Sequence, residues 1–426
     1  MKYCARCLYP SNHPLNLVFD SKGVCSGCRI HEEKDSLDWA VRRNELGRLL
    51  NRYRNRSGNN YDCIIPVSGA GDSYFIVDTV KNEFGLNPLL VHYNKHYNTA
   101  VGHRNLAYLR TVFDCDIYQM VLAPDVVKRI TQRSLVLRGS IYWHCLAGQT
   151  VFPVQVAVRY KIPLIIWGVH QGVDQVGMYS HLDEVEMTRK YRHNHDLMGL
   201  EGEDLVSDAD GLPERDLEPY FYPHDKELER VGVRGIYLGN YIRWDTKAQH
   251  EEMIKRYGFE TARQQRTFDT YNTIDCMHYS GLHDYIKFLK WGYGKATDHA
   301  TREIRFRRLT RAQGVELAKR YETKKPTDLN DFLNWLHIDE TTLMGFVDRH
   351  RNSAAWEKSA DGCWRLKRSY DATVDKPTAD AAALRLSGED CSFKLTGSRD
   401  GSGNEDDYRL ISRGYVDGVS APAIST

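Results

Sequence analysis

Short apolar runs alternate with amphipathic stretches along the first half of the chain. The runs typical of buried strands are residues 62–67, Pro88–Tyr93, 117–122 and 161–168. After the first run, Ile76, Val80 and Phe84 recur at four-residue spacing, which places them on one face of a helix. This βαβα order predicts an α/β fold with a parallel sheet and helices on both faces. Ligands bind such sheets at the carboxyl ends of the strands.

The pattern changes several times along the rest of the chain. Residues 31–56 are predicted to form one charged helix. Residues 180–230 are polar and contain several Gly and Pro, which indicates an inserted substrate lobe or a mobile lid. Residues 235–242 are typical of a further strand, and residues 245–320 are predicted to be mostly helical.

A strand, a small-residue loop and a helix start meet in the segment Cys-Ile-Ile-Pro-Val-Ser-Gly-Ala-Gly-Asp-Ser-Tyr, residues 63–74. Free backbone N–H groups and the positive end of the helix dipole make such a junction an anion site. Asp72 and Ser73 also suit an ordinary capped helix start, so that alternative stays open. The loop is not of the Walker type, because the closing Gly-Lys-Ser/Thr is absent.

Composition excludes several classes of protein. The 426 residues are enough for two or three domains. A formal net charge of +1 argues against a broadly basic nucleic-acid-binding protein. No apolar run approaches the roughly 20 residues that span a bilayer, and the first residues lack the apolar core of a secretory signal. We therefore expect a cytoplasmic protein that contacts neither membrane nor nucleic acid.

Four of the ten cysteines form two CxxC pairs, Cys4 with Cys7 and Cys25 with Cys28. Two such pairs, 17 residues apart, fit a tetrahedral zinc ribbon. With four thiolates the site is closed, so we predict a structural zinc ion. The alternatives are two coincidental CxxC pairs, two disulfides, and an iron–sulfur cluster on the same four cysteines.

The loop resembles the pyrophosphate loop of the PP-loop ATPases, Ser-Gly-Gly-x-Asp-Ser, which split ATP between its α and β phosphates. Ser68, Gly69, Asp72 and Ser73 match, and Ala70 replaces the second Gly. If position 70 requires a positive φ or close contact with phosphate, the Ala methyl costs about 1 kcal/mol or blocks the contact.

This resemblance implies a set of ATP and Mg²⁺ residues. The loop that binds the pyrophosphate consists of Val67, Ser68, Gly69, Ala70, Gly71, Asp72 and Ser73. Asp72 and Ser73 are implied to act in catalysis, and Asp72 also to contact Mg²⁺. His92 and Tyr93 end the strand against which adenine packs, and Gly168 is implied to face the nucleotide. For His92 and Tyr93, simple packing at the strand end is the alternative.

Further motifs narrow the resemblance to the N-acetyl sugar amidotransferases of surface-polysaccharide and nonulosonate synthesis. The motifs are the cysteine ribbon, Trp167-Gly168, the segment 237–245 and the long run from His283 to His299. The resemblance covers roughly residues 1–358. It implies that ATP activates an N-acetyl oxygen of a nucleotide-linked or nonulosonate sugar as an adenylated imidate. Ammonia then displaces AMP and leaves an acetamidino group, as in the synthesis of lipopolysaccharide or O-antigen.

The resemblance also implies partners and substrate residues. Family members work with a glutaminase and a cyclase-like subunit that channels ammonia. No glutaminase Cys-His-Glu motif is legible here, so the glutaminase is expected to be separate. Lys290, Lys295, Asp298 and His299 are candidates to bind phosphate or the carboxylate of an acidic sugar, and Lys290, Lys295 and His299 to act in catalysis. Charged side chains on a solvated helix face are the alternative.

We predict four regions. Residues 1–35 form the zinc ribbon, and 36–245 form the PP-loop domain with its polar insertion. Residues 246–360 form a helical region for substrate or partner. Residues 361–426 form an extension rich in Asp, Ser, Gly and Thr, in which 393–395 and 408–411 fit a hairpin; a flexible extension is the alternative.

Two other functions fit part of the pattern. Some tRNA thiolases join a zinc ribbon to a PP-loop domain, but they carry further catalytic cysteines, whereas Cys115, Cys145 and Cys276 are isolated here. A degenerate family member that binds nucleotide or acts as a scaffold is the other. The family usually has Glu after Gly168, where this chain has Val169, and Asp174 is a candidate replacement.

Overall fold

The computed structural model describes residues 1–207, 211–367, 393–396, 410–411 and 414–415. Its central sheet consists of β1 (Cys63–Pro66), β2 (Pro88–Tyr93), β3 (Ile117–Met120), β4 (Leu164–Trp167) and β5 (Arg234–Tyr237). These strands are all parallel and lie in the order β3-β2-β1-β4-β5. Their carboxyl ends therefore meet at one edge, on which the loop after β1 lies. The predicted α/β class is confirmed.

Helices connect the strands and build the remainder of the described chain. Before and within the sheet region these are α1 (Ser26–Ser36), α2 (Trp39–Tyr53), α3 (Gly71–Val77), α4 (Ala100–Val112), α5 (Pro124–Arg138), α6 (Trp143–Tyr160), α7 (Gln171–Asp174), α8 (Arg189–Tyr191), α9 (Gly202–Ser207), α10 (Glu214–Leu217) and α11 (Asp225–Val231). After β5 they are α12 (Thr246–Tyr257), α13 (Leu282–Trp291), α14 (Lys295–Arg305), α15 (Arg311–Glu322), α16 (Leu329–Leu336) and α17 (Glu340–Asp348). The antiparallel pair β6 (Trp356–Lys358) and β7 (Trp364–Leu366) follows. Within the described ranges, none of the helices has both the length and the apolar character that crossing a membrane requires.

Two apolar cores cover the two faces of the sheet. One contains Tyr74, Val77 and Trp244, from α3 and the segment before α12. The other is built on α6 and on residues of the polar insertion, including Leu200 and Tyr220. The insertion therefore packs against the sheet through α6, with Arg192 fully buried beside Glu201.

The ribbon shares a third core with the C-terminal helices. Its four cysteines pack with Tyr293, Ile304 and Val315. A fourth core joins α5 and α13 to α16 and α17.

Two predicted helices are interrupted. The stretch 31–56 divides into α1 and α2, because the Asp38 side chain accepts hydrogen bonds from the amides of Ala40 and Val41 and starts a new helix. The stretch 245–320 contains an irregular segment, residues 258–281. Gly258 ends α12 with a positive φ of 64°.

The tail differs from the predicted hairpin. Residues 393–396 are irregular and lie beside Thr261, to which the Thr396 amide donates a hydrogen bond of 2.8 Å. The hairpin instead joins β8 (Leu410–Ile411) to β9 (Gly414–Tyr415). The predicted extension 361–426 lies mostly outside the described residues.

Candidate active site

The loop after β1 holds its shape through its own serines. The amide of Ser68 donates to Ser73 Oγ at 2.9 Å, and the amide of Ala70 donates to Ser68 Oγ at 3.2 Å. The helix α3 begins at Gly71, and the first amides of a helix have no acceptor within the helix. The Ser73 amide already donates to the Ala70 carbonyl at 3.3 Å, and the anion site at this junction stays a prediction.

Ala70 has ordinary backbone geometry. Its φ of −90° and ψ of 159° are extended values that any residue adopts. The two flanking glycines are the ones that the packing requires. A Cβ on Gly69 would lie 2.1 Å from the Gly102 carbonyl oxygen, and a Cβ on Gly71 would lie 1.7 Å from the His250 ring. The positive φ considered for position 70 is therefore absent.

We expect Ala70→Gly to bring no gain in nucleotide binding. Since Ala70 is already unstrained, the substitution adds only freedom to the unfolded chain and should lower the free energy of unfolding by about 0.5–1 kcal/mol. Urea unfolding and calorimetric titration with Mg·ATP measure the two quantities. A clear rise in ATP affinity would show instead that the methyl obstructs the phosphates.

Asp72 connects the loop to a cavity of about 210 Å³. Its side chain keeps 40% of its surface exposed to this cavity, while Oδ1 is buried and has no hydrogen-bond partner among the described residues. His250 Nε2, also buried and unpartnered there, lies 3.8 Å from that oxygen. Burial raises the pKa of Asp72, and the nearby His250 and Arg302 oppose this shift. The arrangement leaves one carboxylate oxygen available to a cation in the cavity.

A second cavity of about 370 Å³ adjoins the first. The residues that line both cavities are Val169, Gln171, Gln175, Tyr279, Lys295 and Asp298. The two cavities therefore share part of their wall, between the loop carboxylate and the helices α13 and α14.

Lys295 and Asp298 lie where the two cavities meet. The Lys295 ammonium stands 4.0 Å from the centre of the Tyr279 ring. Asp298 accepts hydrogen bonds from the Tyr9 hydroxyl at 3.1 Å and from Lys287 Nζ at 2.6 Å. Burial opposes the charge of Asp298, but Lys287 and then Lys295 hold its pKa below its ordinary value. A charged network thus borders the junction.

Lys290 lines the second cavity and His299 lines the first. A side-chain nitrogen of each residue forms hydrogen bonds within the protein. Lys290 Nζ donates to the carbonyls of Arg138 and Gly139, at 2.7 and 3.2 Å, which caps the end of α5. Burial and then Arg138 lower the Lys290 pKa to about 8. His299 Nδ1 lies 2.6 Å from Thr267 Oγ1, and burial lowers the His299 pKa to about 3.

The three residues predicted to contact the nucleotide, His92, Tyr93 and Gly168, lie in different surroundings. His92 Nδ1 donates to the Val67 carbonyl at 2.9 Å, at the root of the loop. Tyr93 lies in the core on the α6 face, where its hydroxyl is 2.8 Å from that of Tyr220. A Cβ on Gly168 would lie 3.1 Å from the Trp244 ring, so this glycine makes room for the indole.

The four ribbon cysteines converge. All four ligand atoms lie within 4.8 Å of one another, with Sγ separations of 4.0 Å for Cys4 and Cys28 and 3.6 Å for Cys7 and Cys25. Tetrahedral zinc with Zn–S bonds of about 2.3 Å separates its sulfurs by about 3.8 Å. The cysteines are free thiols, so the disulfide alternative is wrong. The donor set fits zinc.

Arg305 joins the ribbon to the cavity wall. Its Nη2 lies 3.7 Å from Cys25 Sγ, and its Nη1 donates to the carbonyls of Asp174 and Gln175. Burial opposes its charge, yet the cysteines hold its pKa well above the ordinary value. Asp174 accepts from Lys34 Nζ and lines the first cavity. Val169, the departure from the family pattern, lines both cavities.

Several cavity residues escaped the sequence analysis. Tyr9 and His13 from the ribbon and Tyr279 before α13 line the cavities and lie far from the loop in sequence. His250 on α12 lines neither cavity but lies beside Asp72. Only Tyr9 had a signal, its position two residues after the first CxxC knuckle. His144 and Cys145, neighbours on α6, are both fully buried.

Comparisons with known proteins bear on the C-terminal region. Residues 251–370 match the family model described as LPS biosynthesis protein WbpG-like, C-terminal domain, which supports the resemblance found in the sequence. The uncharacterized protein MJ1599 of Methanocaldococcus jannaschii is 25% identical over 122 residues, 29% of this chain and 43% of that protein. The chain thus spans less than half of that relative. The structure of NMN synthetase from Francisella tularensis aligns with 54% of this chain and 98% of its own, with 12% identity and a TM-score of 0.25.

Proposed function

We propose that this chain is an ATP-dependent, AMP-forming amidotransferase that converts an N-acetyl group of a nucleotide-linked or nonulosonate sugar to an acetamidino group. Ammonia comes from a separate glutaminase through a cyclase-like partner. The product serves the synthesis of lipopolysaccharide, O-antigen or another surface glycan. The match of residues 251–370 to an LPS-biosynthesis family supports this role.

The observation that carries the proposal is that the cavity beside Asp72 and the cavity beside the run from His283 to His299 share six lining residues. Adenylation of an amide oxygen requires the α-phosphate and the sugar amide to meet within about 3–3.5 Å. A loop suited to polyphosphate at one end and lysines suited to an acidic sugar at the other end satisfy this requirement. The junction at Lys295 and Asp298 is the place where the two substrates meet.

The residues of the loop are suited to hold ATP with Mg²⁺. The amides at the start of α3 would hold the phosphates, and the part-exposed Asp72 carboxylate would hold the metal ion. Bound ATP would transfer its adenylyl group to the amide oxygen and release pyrophosphate, so that this poor leaving oxygen departs as part of AMP when ammonia adds to the carbon. Lys295 then neutralises charge at the junction.

The residues that line the cavities limit the access of water to the activated amide. Water competes with ammonia for the activated amide, so the space around it has to be dry. Tyr279 lines both cavities, and the ribbon contributes Tyr9 to the lining of the first and His13 to the lining of the second. The zinc ribbon is thus part of the reaction chamber in this proposal.

The test is AMP release by the purified chain with ATP, Mg²⁺, ammonium and a panel of UDP-linked diacetamido sugars. We expect AMP and, by mass spectrometry, a sugar in which NH replaces one oxygen. ATP binding without AMP for any sugar would favour the degenerate member instead. Thiolation of bulk tRNA would favour the thiolase.

We expect Lys295→Met to lower AMP formation at least about 10-fold, because an ammonium at the junction is lost. Binding of Mg·ATP to the loop should not change. Lys324→Met is the matched control, since the exposed Lys324 ammonium also lies over a tyrosine ring, at 4.6 Å from Tyr321. Equal rates for the two variants would exclude Lys295 from the site.

A further inference from the structure

Side chains of the irregular segment 258–281 bind the main chain of residues 393–396, which belong to the C-terminal extension. The Lys394 carbonyl accepts hydrogen bonds from the hydroxyls of Thr261 and Thr270, both at 2.9 Å. The side chain of Lys394 itself is exposed. Main-chain hydrogen bonds give a docked peptide its affinity whatever its exposed side chains are. This part of the extension is therefore docked at a defined site.

Phe393 anchors the docked residues. The centre of its ring lies 5.3 Å from that of Phe268 and 5.4 Å from that of Tyr271. The Tyr271 hydroxyl accepts a hydrogen bond from the Lys394 amide at 3.2 Å, and Tyr271 is fully buried. The docked residues therefore hold Tyr271 by both its ring and its hydroxyl.

Tyr271 connects this docking site to the loop after β1. Its ring stacks on that of His250, with the ring centres 5.2 Å apart and an angle of 11° between the planes. His250 Nδ1 donates to the Thr246 carbonyl at 2.6 Å, and Nε2 lies 3.8 Å from Asp72 Oδ1. The same ring occupies the space in which a Cβ on Gly71 would lie. Movement of Tyr271 would therefore shift the imidazole beside Asp72.

The residues that follow Tyr271 belong to the wall of the first cavity. Asn272 and Thr273 both line it, whereas none of residues 393–396 lines either cavity. The docked residues thus support the wall without occupying the cavity. The segment 258–281 has neither helix nor strand, so it lacks the regular backbone hydrogen bonds of those elements and depends on such contacts for its order.

We propose that residues 393–396 form an intramolecular strap that holds Tyr271 and His250 in place beside Asp72 and so stabilises the nucleotide-binding wall of the first cavity. The inference rests on the proposed function for its nucleotide, whereas the contacts of the strap do not. Without the strap the wall would fluctuate, and nucleotide binding would include the entropic cost of ordering it. The strap therefore favours nucleotide binding.

The test compares Lys394→Pro with Lys394→Ala in the full chain. Proline removes the amide that donates to Tyr271 and restricts the backbone of Phe393, whereas alanine removes only the exposed side chain. We expect Lys394→Pro to accelerate hydrogen exchange of the amides in segment 258–281, measured by mass spectrometry without nucleotide. Calorimetry should show Mg·ATP affinity lowered at least about 5-fold, the lower end of coupling between sites in proteins. Lys394→Ala should match the wild type in both measurements.

Phe393→Ala should change both quantities in the same direction as Lys394→Pro, because its ring contacts are lost. Equal exchange rates in Lys394→Pro and Lys394→Ala would overturn the strap. Faster exchange with an unchanged or increased affinity for Mg·ATP would overturn its role in nucleotide binding. The expected changes in a chain that binds Mg·ATP but releases no AMP would instead refute the amidotransferase and leave the strap standing.

Discussion

Replacing Cys28 with Ser is expected to abolish stoichiometric zinc binding and to lower the midpoint of thermal unfolding. Zinc affinity should fall more than about 100-fold, since loss of an outer-shell partner alone costs about 10–100-fold. A ribbon this short has little core of its own, and structural zinc contributes about 10–16 kcal/mol to the folding of comparable modules. Metal content per chain and circular dichroism on heating measure both effects.

Exposed Cys363 provides the control, because it lies outside the ribbon and Cys363→Ser removes a thiol without a role in the cluster. We expect one zinc per chain and an unchanged midpoint for that variant. Iron with visible absorption in the wild type would favour the iron–sulfur alternative. One zinc per chain in Cys28→Ser would contradict the four-thiolate site.

We expect the loss of zinc to alter the walls of the two cavities as well. Tyr9, two residues beyond Cys7, donates to Asp298 and accepts from Gln175 Nε2 at 2.6 Å. Arg305 contacts both Cys25 and the carbonyls beside the first cavity. An unfolded ribbon would withdraw these side chains from the junction. Sugar binding by the metal-free chain should therefore weaken more than ATP binding at the loop.

The sheet and the ribbon were predictable because their signals are local. The four strands before the insertion each have a run of apolar residues, and right-handed βαβ connections leave few orders for them. Two CxxC pairs imply convergence of their sulfurs whatever surrounds them. The break at Asp38 was not predicted, because an N-cap within a charged stretch has the same polarity as the helix around it.

The cavities were not predictable, because they depend on distant contacts. The Tyr9 hydroxyl and Asp298 are 289 residues apart, and nothing near either residue signals the other. Gly71 illustrates the same limit within the motif itself. It occupies the variable position of the pattern, yet its lack of a side chain is what admits the His250 ring. The glycine that appeared to be missing at position 70 is one that the backbone does not need.

Asp72→Asn is expected to lower AMP formation at least about 100-fold, the scale of losing one electrostatic contact to the reacting groups. The stability of the folded protein, in contrast, should not fall. The folded state raises the Asp72 pKa, so it binds the proton more tightly than the unfolded chain does. Stability therefore falls as pH rises from the unfolded pKa to the folded one, and the penalty is complete above the folded pKa. The neutral amide removes this penalty, so the unfolding midpoint at pH 7 should be unchanged or higher.

Asp78→Asn is the contrasting control from the same helical stretch. The Asp78 carboxylate is buried and accepts hydrogen bonds from Arg256, Tyr257 and Asn82. Removing its charge breaks a satisfied network and should lower the unfolding midpoint, with a much smaller effect on AMP formation. Opposite changes in stability for two aspartates six residues apart would identify Asp72 as a residue kept for chemistry at a cost in stability. A destabilised Asp72→Asn that retains its rate would instead identify an ordinary capped helix.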